Sequence, residues 1–224
     1  MIPSLELLGV QYGMAEPSDM DELAALLGLV FSRSDPPAVA LGVTAAEFES
    51  VVRLYGPRAA AEGLTIVARS VDTGEMAGAL LTEDASSAPP SGIERLSSKF
   101  DPVFDMLGQL DADYRRGRSV PPGEWLHLSL LGVAQPFGGR GVGQQLVASC
   151  LENGARKGYR LAVTEATSSA SQHIFRKHGF VERVRRSYRD YRYHGEAVFA
   201  SIEGPAGPIL MDRDLNPPRG GSPE

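Results

Sequence analysis

The chain has 224 residues, 42% of them hydrophobic and 22% charged, enough apolar mass for a packed core without cross-links. Its 28 acids against 22 bases give a net charge of −6, which argues against nucleic-acid binding, and no run approaches the roughly 20 apolar residues of a membrane-spanning helix. Lone Cys150 excludes an internal disulfide framework and a cysteine zinc cluster, and the first residues lack the basic head of a secretory signal, so a cytoplasmic protein with no membrane partner is expected.

Gln11 to Ala15 reads as a strand, and Pro17, Ser18 and Asp19 open a helix with Ser18 as its N-cap. Leu23, Leu26, Leu27 and Val30 form its buried stripe, and Ser34-Asp35-Pro36-Pro37 ends it, because proline cannot continue a helix. Thr44 and Glu47 make a capping box for a second helix with Phe48, Val51, Val52 and Tyr55 inward. Two strands follow, 64–71 and 76–82, joined by a turn at 72–75. Residues 84–124 read as an insertion: a Ser/Ala/Pro loop, a helix over 93–116 with Phe100, Phe104, Leu107 and Leu110 on one side, and a second loop.

The segment 126–133 is apolar nearly throughout and is expected to be a central strand buried on both faces. A glycine loop leads to a helix with Val142, Leu146, Cys150 and Leu151 inward, then a strand at 160–164 and a short helix at 171–178. Strands are expected at 180–185, 198–203 and 209–214. The order predicts an α/β fold, a mixed twisted central sheet with helices on both faces, as one domain over 1–215 with a disordered tail at 216–224.

Gly138-Gly139-Arg140-Gly141-Val142-Gly143 lies between a strand and a helix. Such a loop turns tightly, bares the first amides of the helix, and suits a pyrophosphate. The same glycines also fit a turn with no ligand. A Walker loop is excluded because Gln144 stands where lysine is required, and the dinucleotide spacing fails at Gln144 and Leu146.

The run Val133-Ala-Gln-Pro-Phe-Gly138-Gly139-Arg140-Gly141-Val142-Gly143 resembles the coenzyme A loop of the GNAT N-acetyltransferase superfamily, V-x-P-x-x-R/Q-G-x-G-x-G. Downstream, Thr164-Glu-Ala-Thr167-Ser-Ser-Ala-Ser171 and Phe175-Arg-Lys-His-Gly179-Phe180 are similar to the family's second segment, and the likeness spans 11–83 and 124–214. Two departures stand out: Gly138 replaces the usual Arg or Gln, and the proline is displaced to Pro136. Phe31-Ser-Arg-Ser-Asp35-Pro36 resembles the D-E-P element of the arylalkylamine and dopamine N-acetyltransferase branch.

The resemblance implies a GNAT fold and transfer of acetyl from acetyl-CoA to a primary amine. It implies that amides of Gly139, Gly141 and Gly143 hold the pyrophosphate, with Gly138, Arg140, Val142 and Gln144 completing the loop. The pantetheine arm would pair with Leu131, Gly132 and Val133 like an added strand and pack on Phe175. An N–H near Leu130 or Leu131 would meet the carbonyl oxygen. Asp35 matches the branch's acidic base, and Thr167 and Ser171 match its two helix-entry hydroxyls. Each has a structural alternative as a turn or helix cap. Glu124 and Glu165 are rival bases. Phe175 cannot protonate the departing thiolate, which leaves Ser171, water, or one of Tyr188, Tyr191 and Tyr193, a run expected on the acceptor side.

His127, His173, His178 and His194 lack metal spacing and read as surface or satisfied histidines. Arg183, Arg185, Arg186, Arg189 and Arg192 read as a solvated strand edge or a contact for phosphates or an acidic acceptor. The resemblance implies a small-molecule amine of unspecified kind as partner, with the insertion expected to shape its pocket or join two copies in a homodimer. Two other readings stay open: an acyl-CoA sensor of the same fold without turnover, and a nucleotide-binding oxidoreductase.

Overall fold

The computed structural model describes residues 5–7 and 9–215; the predicted tail at 216–224 lies outside them. Its eight strands form one mixed sheet in the order β1-β2-β3-β4-β5-β6-β8-β7. The strands are β1 (Leu5–Leu7), β2 (Val10–Met14), β3 (Ile66–Ser70), β4 (Met76–Asp84), β5 (Trp125–Val133), β6 (Leu161–Ala166), β7 (Val181–Arg185) and β8 (Ile209–Asp214). Neighbours run antiparallel except β5 and β6.

Six helices cover the two faces: α1 (Met20–Ser34), α2 (Pro36–Ala40), α3 (Ala45–Ala61), α4 (Asp101–Arg115), α5 (Val142–Arg156) and α6 (Ser169–Lys177). Alternation along the strands decides which face each residue joins. Leu80, Leu126, Leu128, Ala162 and Met211 pack with Leu146, Val147 and Cys150 of α5 and Phe175 of α6. Ala79 and Leu81 face the other way, onto Leu23 and Leu27 of α1 and Val51 and Val52 of α3. Trp125, Val163 and Leu210 close beneath Leu110 and Tyr114 of α4.

Several sequence expectations need correction. The first helix is entered through a 3-10 turn at Pro17–Asp19, where Glu16 and not Ser18 is the N-cap. The two prolines end α1 and also start α2, because proline is tolerated in a helix's first turn. The segment 93–116 is two 3-10 turns and then α4, broken at extended Leu96. Residues 198–203 are turns, not a strand. They put Phe199 into a cluster with Met106, Tyr188 and Tyr191. β5 is not buried on both faces: His127, Ser129, Leu130, Leu131 and Val133 are half-exposed, for a reason given by the site.

Candidate active site

β5 pairs with β4 along nearly its whole length, but with β6 only through Trp125↔Leu161, Leu126↔Ala162 and His127↔Val163. The register against β4 shifts so that Ser129 is an extra residue between Leu128 and Leu130. Such a bulge bends its strand. Thr164 Oγ1 donates to Leu128 O at 2.8 Å, and beyond that bond the strands part. The β5 edge from Ser129 to Val133 therefore faces a gap, and this is why the strand is half-exposed.

The glycine loop stands at the end of that edge. Gly139 (φ 71°) and Gly141 (φ 84°) take left-handed backbone, which glycine adopts at little cost, and the space where their side chains would lie is open. Gly141 caps α5, and the first helical bond shown runs from Gln145 N–H to Gly141 O at 3.0 Å. The amides of Val142, Gly143 and Gln144 consequently have no intrahelical partner, and the helix dipole adds positive potential there. Arg140 is exposed, 5.8 Å from the Phe137 ring centroid, and Gly138 has ordinary φ. The open edge and bare amides fit a phosphate-tailed, amide-bearing carrier such as acetyl-CoA.

Asp35 ends α1 and caps α2: its N–H donates to Phe31 O, and its carboxylate accepts from Ala38 N–H at 3.1 Å. Thr167, directly after β6, donates its hydroxyl to Asp35 Oδ1 at 2.6 Å, across 132 residues of sequence. Asp35 is 8% exposed, and burial pushes its pKa up to about 6 against the opposing bonds from Thr167 and Ala38. Behind Thr167, buried Tyr188 donates to its carbonyl at 2.8 Å. Ser168 is the N-cap of α6 and shares a capping box with Ser171, so neither Thr167 nor Ser171 is the cap. The helix accordingly starts at Ser169 and not at Ser171.

Two cavities meet at this point. A narrow cleft of about 70 Å³ in the gap is lined by Leu128, Leu131, Thr164, Ser168, Ser171 and Phe175. A larger cavity of about 310 Å³ opens toward α3 and α4. Phe31, Asp35, Ser129, Glu165 and Thr167 line both and form the neck between them.

The larger cavity has an aromatic wall. Phe31 stacks on Phe48 (4.5 Å), Phe48 meets Phe100 edge-on (5.8 Å), and Phe100 stacks on Phe104 (5.8 Å). Opposite is an ionic group: His127 Nε2 lies 2.7 Å from Glu165, His127 Nδ1 lies 3.6 Å from Glu83, and Arg58 donates to Glu83. Burial would lower the His127 pKa. The Glu165 charge and hydrogen bond, with Glu83 behind them, outweigh this and lift it to about 10. Both carboxylates are held below their ordinary range, against burial, with His127 the leading partner of each. His127 is thus a charged, paired residue in the cavity wall, and the sequence reading missed that role.

Other sequence candidates lie elsewhere. Glu124 sits just before β5, at the strand's opposite end from the loop, and does not line either cavity. Gly132 is buried; a side chain there would meet Leu27 Cδ2 at 2.5 Å, so it serves α1 packing. Phe175 lines the cleft and meets Phe180 edge-on. Tyr191 bonds Asp105 and Pro102 O, so Tyr188 and Tyr191 back the site and do not line it. Arg183, Arg185 and Arg186 are spent on Asp212, Glu182 and Asp113. Among the described residues no three His, Cys, Asp or Glu are grouped to hold a metal ion, and no helix is long and apolar enough to cross a membrane.

Residues 114–194 match the family model described as an acetyltransferase (GNAT) domain. Similar solved structures include the C-terminal condensation domain of Ebony in complex with beta-alanyl-dopamine, at TM-score 0.84 and 16% identity, covering 93% of this chain and 100% of that one. Arylalkylamine N-acetyltransferase 2 from Aedes aegypti aligns at TM-score 0.76 and 20% identity, covering 92% and 99%. The Drosophila melanogaster polyamine N-acetyltransferase, which forms N-acetylagmatine, aligns at TM-score 0.70 and 19% identity, covering 92% and 99%.

Proposed function

We propose that this chain, which has the GNAT fold and matches a GNAT acetyltransferase domain model over residues 114–194, transfers an acetyl group from acetyl-CoA to the primary amine of a small molecule, by direct attack in a ternary complex. The observation that carries this reading is the neck: a buried carboxylate with a raised pKa stands where an open strand edge meets an aromatic cavity. The two acetyltransferases described above, named for arylalkylamines and polyamines, point to the same acceptor class.

The carrier supplies an activated thioester carbonyl. The amides of Val142, Gly143 and Gln144 and the outward turn at Gly139 and Gly141 hold its anionic end. The β5 edge from Ser129 to Val133 orients its amide-bearing arm as an added strand. The aromatic wall takes the body of the acceptor and directs its nitrogen to the neck. An amine arrives as the ammonium ion, and Asp35, ionised above about pH 6, accepts the proton that must leave before attack. Thr167 holds the carboxylate by its hydroxyl, and Tyr188 holds Thr167 by its carbonyl. Charged His127 cannot take that proton, and Glu165 and Glu83, held below their ordinary range with His127 as leading partner, are weaker bases than Asp35. A backbone N–H near Leu130, beside the Ser129 bulge, would meet developing negative charge. Ser171 lines the cleft where the thiolate departs.

The test is release of free thiol from acetyl-CoA over a panel of primary amines, with wild type and Asp35→Asn. Turnover by wild type and its loss in the variant are expected. Tight coenzyme A binding with no turnover across the panel would reassign the chain to an acyl-CoA sensor. Thermal protection by NAD(P) and not by coenzyme A would reject the family's donor altogether.

A further inference from the structure

Val163 is the last residue of β6 paired to β5, and the carbonyls at and just after the end of β6 are met by side chains. Gln172 Nε2 donates to Ala166 O at 3.2 Å, and the Tyr188 hydroxyl donates to Thr167 O at 2.8 Å. These two carbonyls belong to the peptide groups on either side of the Thr167 Cα. A peptide group is planar, so holding both planes fixes φ and ψ of Thr167 and the direction of its Cα–Cβ bond. A β-branched side chain then has few rotamers left. The Thr167 hydroxyl is thereby aimed at Asp35 Oδ1, 2.6 Å away.

Gln172 does this from α6, one residue after Ser171. It is 7% exposed and lines neither cavity. Its Nε2 also donates to Gly207 O at 3.0 Å, so both hydrogens of the amide are spent on main-chain carbonyls. Gly207 lies where the 186–208 excursion between β7 and β8 closes on itself. A Cβ there would fall 1.8 Å from Arg186 O, Arg186 N–H donates to Pro208 O at 3.2 Å, and Tyr188 N–H donates to Ala206 O at 2.9 Å. One amide therefore joins the end of β6 to the segment that carries Tyr188, and the two holds on Thr167 are set relative to each other. Methionine has the same length and would fill the space without burying a polar group, so the contribution of the amide is its two bonds.

Asp35 is faced by the Thr167 hydroxyl, by the Ala38 N–H of α2, and by Tyr188, whose phenol is pushed upward by burial and by the Asp35 charge. Glu165 shares the neck. Of these contacts, the Thr167 bond is the one that Gln172 can move.

We propose that Gln172 is a positioning residue, holding the Thr167 main chain so that its hydroxyl stays on Asp35. As a role in catalysis this rests on the transfer reading, but the bond it protects can be read without turnover. The test is NMR titration of the Asp35 carboxyl in the full chain, with the signal assigned by its loss in Asp35→Asn. A loosened Thr167 bond favours the charged carboxylate less, so Asp35 in Gln172→Met should titrate about 0.5–1 pH unit higher than in wild type. In a Thr167→Val background, where the bond is already gone, adding Gln172→Met should move Asp35 by less than about 0.2 pH unit. Gln172→Asn keeps an amide one methylene short and should move Asp35 the same way, which serves if the methionine variant unfolds. Asp35 titrating as in wild type in the folded variants overturns the proposal, whatever their melting temperatures. So does a shift that persists undiminished beside Thr167→Val. The lower limb of kcat/KM should move with the titration. The full shift in a protein that turns over no amine removes the transferase reading and leaves Gln172 holding Thr167 in place.

Discussion

Asp35→Asn separates what Asp35 does for the fold from what it does for chemistry. Burial raises this carboxyl from its ordinary 3.8 to about 6, so at 1.36 kcal/mol per pH unit the folded state disfavours the charged form by roughly 3 kcal/mol. A group whose folded pKa lies above its unfolded one gives its full stabilisation below about pH 4 and loses it as the pH rises through about 6. Wild type should therefore lose roughly 3 kcal/mol between pH 4 and 7 from this residue alone. The asparagine has no charge to bury, and its amide can serve the same neighbours: Oδ1 accepts from Ala38 N–H and Nδ2 donates to Thr167 Oγ1. Urea denaturation at pH 4.5, 6 and 8 should show the variant gaining on wild type as the pH rises, equivalent to about 6–12 °C in melting temperature for a chain of this length. Acetyl transfer should move oppositely, falling roughly 10²- to 10⁴-fold, with the rise through about pH 6 abolished. Parallel stability curves for the two proteins would refute the burial argument. A variant that keeps both its rate and its pH limb would refute Asp35 as the base.

Thr167→Val removes a hydrogen bond that favours the charged carboxylate, so the kcat/KM limb should move about one to two pH units higher, while Thr167→Ser keeps it in place. Gly28→Ala tests the packing of the helix that carries Asp35. Its new methyl would lie 2.8 Å from Ala45 O and 2.6 Å from Glu49 Cγ, so α1 and α3 must part, and denaturant unfolding should show a loss of about 1–3 kcal/mol.

The glycine loop was readable because its signal is local: four glycines in six residues between a strand and a helix leave few alternatives. Thr44 and Glu47 were readable for the same reason, and the capping box forms. Asp35 and Thr167 were each nameable only through resemblance. Their contact spans 132 residues, and no spacing rule reports it. Glu165 was named only as a rival base and His127 only as a surface or satisfied histidine; their grouping with Glu83 was not legible, since the three come from three strands. The strand at 198–203 was misread because the short apolar run Val198-Phe199-Ala200 looks alike in a strand and in turns that send one aromatic inward. β1, with three residues, is too short to carry a pattern.

With only three residue pairs holding β5 to β6, the sheet is in effect two panels, β1–β5 and β6–β8, meeting along a short seam. Main-chain groups that a continuous sheet would satisfy within itself are left along one lip of the opening. A guest lying there with amides of its own supplies the missing rungs and ties the panels together. Part of the sheet's hydrogen bonding is thus left unmade, and a bound carrier would complete it across halves that the core beneath α5 and α6 already joins.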